Sequence, residues 1–160
     1  MEIWELTDKF GEGAGVYYDR SSGEPIPEGY FFRVAEVWVK LGGQLLLTRR
    51  HPEKWAGLCW EVPGGGVLRD EDPICAASRE LFEETGIAVS PGELTFLGRS
   101  AHQNALVYSY LAELNTAPVL NLQPSEVVDC KFVTPEEAEE MRGEMTVGTA
   151  SRLENVKSLF

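Results

Sequence analysis

Gly65-Gly66-Val67-Leu68-Arg69-Asp70-Glu71-Asp72-Pro73-Ile74-Cys75-Ala76-Ala77-Ser78-Arg79-Glu80-Leu81-Phe82-Glu83-Glu84-Thr85-Gly86-Ile87 is the most informative run in this 160-residue chain. Ile74, Ala77 and Leu81 recur at spacings of three and four, the stripe that packs a helix against a sheet. Asp72 stands at the capping position, Pro73 at the first helical position and Gly86 just past the end, so the pattern predicts a helix from Pro73 to Thr85. Residues three and four apart share a helix face, which brings Glu80, Glu83 and Glu84 together on the side away from the apolar stripe. Their repulsion disfavours an exposed helix by a few tenths of a kcal/mol per pair, about what an ion pair would return. No Lys or Arg stands four residues further on to offset it. A bound cation would, and hard carboxylate oxygens suit Mg²⁺ or Mn²⁺. The preceding Gly64-Gly65-Gly66 lets backbone come close to a metal and its phosphates.

On the N-terminal side, Val34–Val39 and Leu45–Leu47 read as strands joined at Gly42-Gly43, a hairpin signal. A loop rich in Trp, Pro and Gly follows from His51 to Gly66. On the C-terminal side, strands are expected at Leu94–Gly98, Leu106–Leu114 and Val127–Val133. Thr134 then opens a second helix, with Pro135 at its first position and Glu137 completing a capping box. Residues 149–158 are weakly helical. Residues 1–30 are polar and turn-rich and read as an extension carrying short strands, part of one domain whose main body is residues 31–160.

The chain carries a formal net charge of −12, which opposes binding to long nucleic acids, whose phosphates are held mainly by basic surfaces. An anionic small molecule would therefore need local neutralisation, and carboxylate-held metal ions would supply it. No apolar run approaches the roughly 20 residues needed to cross a bilayer, and the opening MEIWELTDKF lacks the features of a signal peptide. A cytoplasmic protein with no membrane partner is expected. Cys59, Cys75 and Cys130 show neither pairing nor zinc-ligand spacing, and His51 and His102 are isolated, so all five read as ordinary residues.

From Gly65 the chain gives five residues, Glu71, seven residues and then Arg79-Glu80-Leu81-Phe82-Glu83-Glu84-Thr85-Gly86-Ile87, which resembles a complete Nudix box. Seven fixed residue types and two aliphatic sites would coincide by chance on the order of once in 10⁹ starting points. The resemblance implies an α/β/α sandwich, with a mixed β-sheet between the box helix and a C-terminal helix. It also implies a metal-dependent hydrolase that cuts a diphosphate linkage in a nucleoside diphosphate joined to another group. Glu80, Glu83 and Glu84 would then bind Mg²⁺ or Mn²⁺ together with the Gly65 carbonyl, Arg79 and Glu71 would support the loop and the carboxylates, and Gly86 would close the helix. Either Glu83 or Glu84 would orient or deprotonate the attacking water.

The segment SEVVDCKFVTPEE resembles the strand and helix start that follow the box in many Nudix proteins, which makes Glu126 a further candidate ligand or base. Arg49 and Arg50 end a strand where a guanidinium could fork onto phosphate, although strand neighbours point to opposite faces. Trp55 and Trp60 are candidates either for stacking on a base or for burial in the core or anchoring of the loop, and Trp60 is carried forward with Arg49 and Arg50 as a substrate-binding residue. The opening Met1–Asp8 and Pro27–Tyr30 resemble the extension of the isopentenyl-diphosphate-isomerase-like branch. An isomerase of that type and a non-catalytic nucleotide sensor are therefore the rival readings.

Overall fold

The computed structural model describes all 160 residues. Its centre is β3 (Phe32–Leu41), a ten-residue strand whose side chains alternate between two cores. Ala35, Val37 and Val39 face one side and Trp38 the other, as a period of two requires. Gly42-Gly43 turns the chain into β4 (Gln44–Arg50), with Gly42 at φ +60° and Leu41 paired with Gln44. β4 separates from β3 after two residue pairs and pairs instead with β5 (Trp60–Glu61) and β9 (Val127–Val133). The vacated edge of β3 is taken by β6 (Gly64–Gly66), antiparallel across Val34–Glu36. On its other edge β3 runs parallel to β8 (Ala105–Leu114), which pairs antiparallel with β7 (Thr95–His102). The seven-stranded sheet is therefore mixed.

The box helix, α1 (Pro73–Thr85), covers one face, where Ala76, Ala77 and Leu81 pack on Ala35, Val37, Val39 and Leu46. α2 (Pro135–Glu140) and α3 (Val147–Val156) cover the other, with Ala138, Leu153 and Val156 against Trp38, Leu45 and Leu47. This is the α/β/α sandwich expected from the resemblance. Gly86 closes α1 in the left-handed region at φ +78°, donating its N–H to the Phe82 carbonyl. Thr134 and Glu137 form the expected capping box.

Two local expectations need correction. Asp72 occupies the cap position, but its side chain makes no capping hydrogen bond; its carbonyl takes the N–H groups of Cys75 and Ala76 instead. The last helix begins at Val147, earlier than the sequence indicates, because Thr146 caps it and donates its own N–H to the Trp60 carbonyl. That contact is tertiary and leaves no trace in local periodicity.

An N-terminal hairpin, β1 (Ile3–Thr7) and β2 (Gly13–Asp19), stands outside the main sheet. Thr7 and Phe31 exchange both backbone hydrogen bonds, at 2.8 and 2.9 Å, which ties the hairpin to the start of β3.

Candidate active site

A cavity of about 420 Å³ is lined from both sides of the divergence between β4 and β6. One wall is α1, which contributes Glu80, Glu83 and Glu84, and Gly64, Gly65 and Gly66 lie beside it. The Gly64 N–H donates to Glu84 Oε2 at 3.2 Å. A Cβ on Gly65 would stand 2.6 Å from both carboxylate oxygens of Glu80, so only glycine lets the strand and the helix acids approach this closely.

Arg79 ties these pieces together. Its Nε and Nη2 fork onto Glu71 at 2.8 and 2.9 Å, Nη2 also donates to the Gly66 carbonyl at 3.0 Å, and Nη1 donates to Glu80 at 2.6 Å. Glu83 lies 3.4 Å from the same Nη1. Burial alone would raise the Glu71 carboxyl, but the Arg79 hydrogen bonds and the Leu68 N–H outweigh it and hold Glu71 below the usual carboxylate range. Glu80 is pushed up, by burial first, against the pull of Arg79. Glu84 is buried and pushed up to about 8, by burial and then by the neighbouring Glu61 and Glu80.

The three box carboxylates share a cavity wall, but no three acidic, histidine or cysteine side chains are gathered tightly enough to ligate one ion as they stand. Each acid has a nearby donor: Glu80 and Glu83 share the Arg79 Nη1, Glu84 takes the Gly64 N–H, and Glu126 forms an ion pair with Lys54. The donor set nevertheless fits a hard divalent cation in its chemistry. Seven carboxylates line the cavity against four basic groups, and the missing Cβ of Gly65 leaves backbone open beside Glu80.

Of the two strand-end arginines, Arg50 lines the cavity, donating to Glu61 at 2.6 Å and to the Trp55 carbonyl at 2.8 Å. Arg49 does not; as the strand neighbour of Arg50 it points to the opposite face, where it donates to the Leu58 carbonyl and lies over the Trp60 ring. The expectation for Trp60 is likewise corrected. It is buried in the core under α3, with Arg49 and Lys131 against its ring, and has no face open to a substrate. Trp55, 76% exposed, is the tryptophan that lines the cavity. None of the three cysteines or two histidines does.

Sequence reading missed several cavity residues. Glu61 is pushed up by burial, against the Arg50 guanidinium, and stands next to Glu84. Glu36 is buried deep in the cavity, where Arg152 donates to it twice at 2.7 Å across 116 residues of chain, and Trp38 and Ser109 donate as well. Contacts of that sequence separation have no local signal.

A family model described as NUDIX domain matches residues 30–154. An uncharacterized Nudix hydrolase of Listeria monocytogenes is 31% identical over 147 residues, covering 89% of this chain and 85% of the relative. An RNA pyrophosphohydrolase of Bartonella bacilliformis is 40% identical, but over 57 residues only, 36% of this chain and 32% of that protein. Among solved structures, DR0079 from Deinococcus radiodurans superposes with a TM-score of 0.80 at 21% identity, covering 96% of this chain and 98% of that one. A bifunctional NMN adenylyltransferase/ADP ribose pyrophosphatase from Francisella tularensis, complexed with AMP and a manganese ion, gives a TM-score of 0.67 at 18% identity, over 81% of this chain and 42% of that one. With the family model spanning most of the chain and a full-length relative above 30% identity, the chain belongs to the Nudix hydrolase family.

Proposed function

We propose that this enzyme hydrolyses the diphosphate linkage of a small nucleotide-type substrate with the help of Mg²⁺ or Mn²⁺. The observation that carries the reading is the acidic cavity itself, in which the complete box supplies Glu80, Glu83 and Glu84 beside a glycine strand. The manganese ion in the Francisella neighbour supports the choice of cation. A bound divalent cation would neutralise charge on the diphosphate and acidify water in the site. Glu83 or Glu84 takes the proton of the attacking water, whose oxygen bonds to one phosphorus while the bond from that phosphorus to the bridging oxygen breaks. Arg50 and Lys54 lie where they can neutralise phosphate oxygens once their carboxylate partners turn to the metal. The test is a panel of nucleotide sugars, ADP-ribose, dinucleoside polyphosphates, coenzyme A and nucleoside triphosphates with and without Mg²⁺. Release of phosphate or monophosphate from none of them would refute the reading.

Glu126 belongs to the same cavity, so Glu126→Gln is expected to lower kcat at least about tenfold if the residue serves as ligand or base. An unchanged kcat at saturating Mg²⁺ would leave it as the ionic partner of Lys54 alone.

The isomerase reading is disfavoured by the cavity's composition. Moving a proton between carbons needs an acid and a base flanking a hydrocarbon. Only five of the 21 lining residues are apolar, which offers an isoprenyl chain little to bury against. Incubation with isopentenyl diphosphate and Mg²⁺ should give no dimethylallyl diphosphate, and its formation at catalytic rates would replace the hydrolase assignment.

A further inference from the structure

Each of the four basic side chains that line the cavity has one acid for a partner: Arg20 with Glu2, Arg50 with Glu61, Arg152 with Glu36 and Lys54 with Glu126. The three lining acids left over are Glu80, Glu83 and Glu84, those of the box helix. A guanidinium closes three of the four pairs. Arg152 forks onto Glu36 through Nε and Nη2, both at 2.7 Å, and Arg50 is held by the Trp55 carbonyl as well as by Glu61. Lys54 differs: it is a point charge on a flexible stem, and its ionic partner is Glu126.

Backbone keeps this last pair together. The His51 N–H donates to the Glu126 carbonyl at 2.9 Å and the Lys54 N–H to the His51 carbonyl at 3.1 Å, so the loop that carries Lys54 is tied to the turn that carries Glu126. That turn hangs from the end of α1, where the Gln123 N–H donates to the Glu84 carbonyl at 3.1 Å. None of these bonds uses a side chain, so the ammonium and the carboxylate can part while loop, turn and helix stay joined. Both side chains are partly open to solvent, a setting in which an ion pair is weak. A divalent cation brings twice the charge of an ammonium to the same oxygens and competes for them accordingly. While Lys54 holds Glu126, that carboxylate is closed to the cation, and while Glu126 holds Lys54, the ammonium is closed to an anion.

We propose that Lys54 is an internal counter-ion that holds a cation's place on Glu126 and thereby sets how tightly the cavity binds a divalent metal. The proposal rests on the reading that the cavity takes Mg²⁺ or Mn²⁺, but not on hydrolysis, so it is tested by calorimetric titration with Mn²⁺ alone. Lys54→Met keeps the stem and removes the charge; it should bind Mn²⁺ about tenfold more tightly than wild type, and Lys54→Arg no more tightly than wild type. In the Glu126→Gln background, where Lys54 has no carboxylate to hold, Lys54→Met should gain less than about threefold, the non-additivity expected of two residues acting through one contact. Lys40 does not line the cavity, so Lys40→Met controls for net charge and should leave the affinity unchanged. An unchanged or weaker affinity in Lys54→Met, a gain of the same size with and without Glu126, or an equal gain in Lys40→Met would overturn the exchange. Absence of Mn²⁺ binding in every protein would remove the metal reading along with it, whereas measurable and equal affinities would leave the metal reading standing and overturn the role of Lys54 alone.

Discussion

Glu84→Gln is expected to cut turnover by about 10²–10⁴-fold, the range associated with a positioned acid–base group, while leaving stability unchanged or raised. The two effects point in opposite directions for a physical reason. Glu84 is 6% exposed and lies beside Glu61 and Glu80, so its charge is costly to keep where it is. Glutamine has the same shape and can still accept the Gly64 N–H, so it removes that cost without opening a cavity. Glu83→Gln should lose turnover by a similar factor with almost no change in stability, because its side chain is 47% exposed and its contact with Arg79 is long, at 3.4 Å. Steady-state kinetics at saturating Mg²⁺ and urea melts of both variants provide the check. Wild-type turnover in both would remove Glu83 and Glu84 from the chemistry.

Arg79→Ala should be the most damaging change outside the carboxylates. It would free Glu71, Glu80 and the Gly66 carbonyl at once, since one guanidinium holds all three. The side chain is 25% exposed, so the stability loss is expected to be about 1–3 kcal/mol, less than for a fully buried pair. Turnover should fall a further 10–100-fold or so, as is usual when the support behind ligating groups is lost. Arg79→Lys should recover little of either, because an ammonium cannot fork onto Glu71 and reach Gly66 in the same pose. Urea midpoints and kcat for the two variants decide the matter, and a lysine variant equal to wild type would show that only the charge at this position matters.

The family match and the geometry bear differently on the original expectations. The box residues from Gly65 to Ile87 identified the family, and the helix they form has the predicted ends, Pro73 and Thr85. The same pattern put the three acids on one wall of one cavity. Shared helical phase accounts for that, and Arg79, which holds Glu80 and Glu83, and the Gly64 N–H, which holds Glu84, fix where their carboxylates sit. Strand alternation allows only one of Arg49 and Arg50 on the cavity side, and it is Arg50; Trp60 lies on the other face because it pairs across the strands with Arg49, a long-range pairing that local sequence does not display.

Local pattern was enough for everything that depends on neighbours within a few residues: the amphipathic box helix with its glycine stop, the hairpin at Gly42-Gly43, the Thr134 capping box and the chemistry of the three helix acids. These follow from backbone preference and side-chain spacing, which a sequence displays directly. The cavity had to wait for tertiary structure. β4 leaves β3 after two pairs, β6 fills the gap, α3 sends Arg152 across 116 residues to Glu36, and the first strand lays Trp4 against Gly66. Each of these is a long-range packing choice, set by which burials are mutually compatible over the whole sheet, and no window of sequence contains that information.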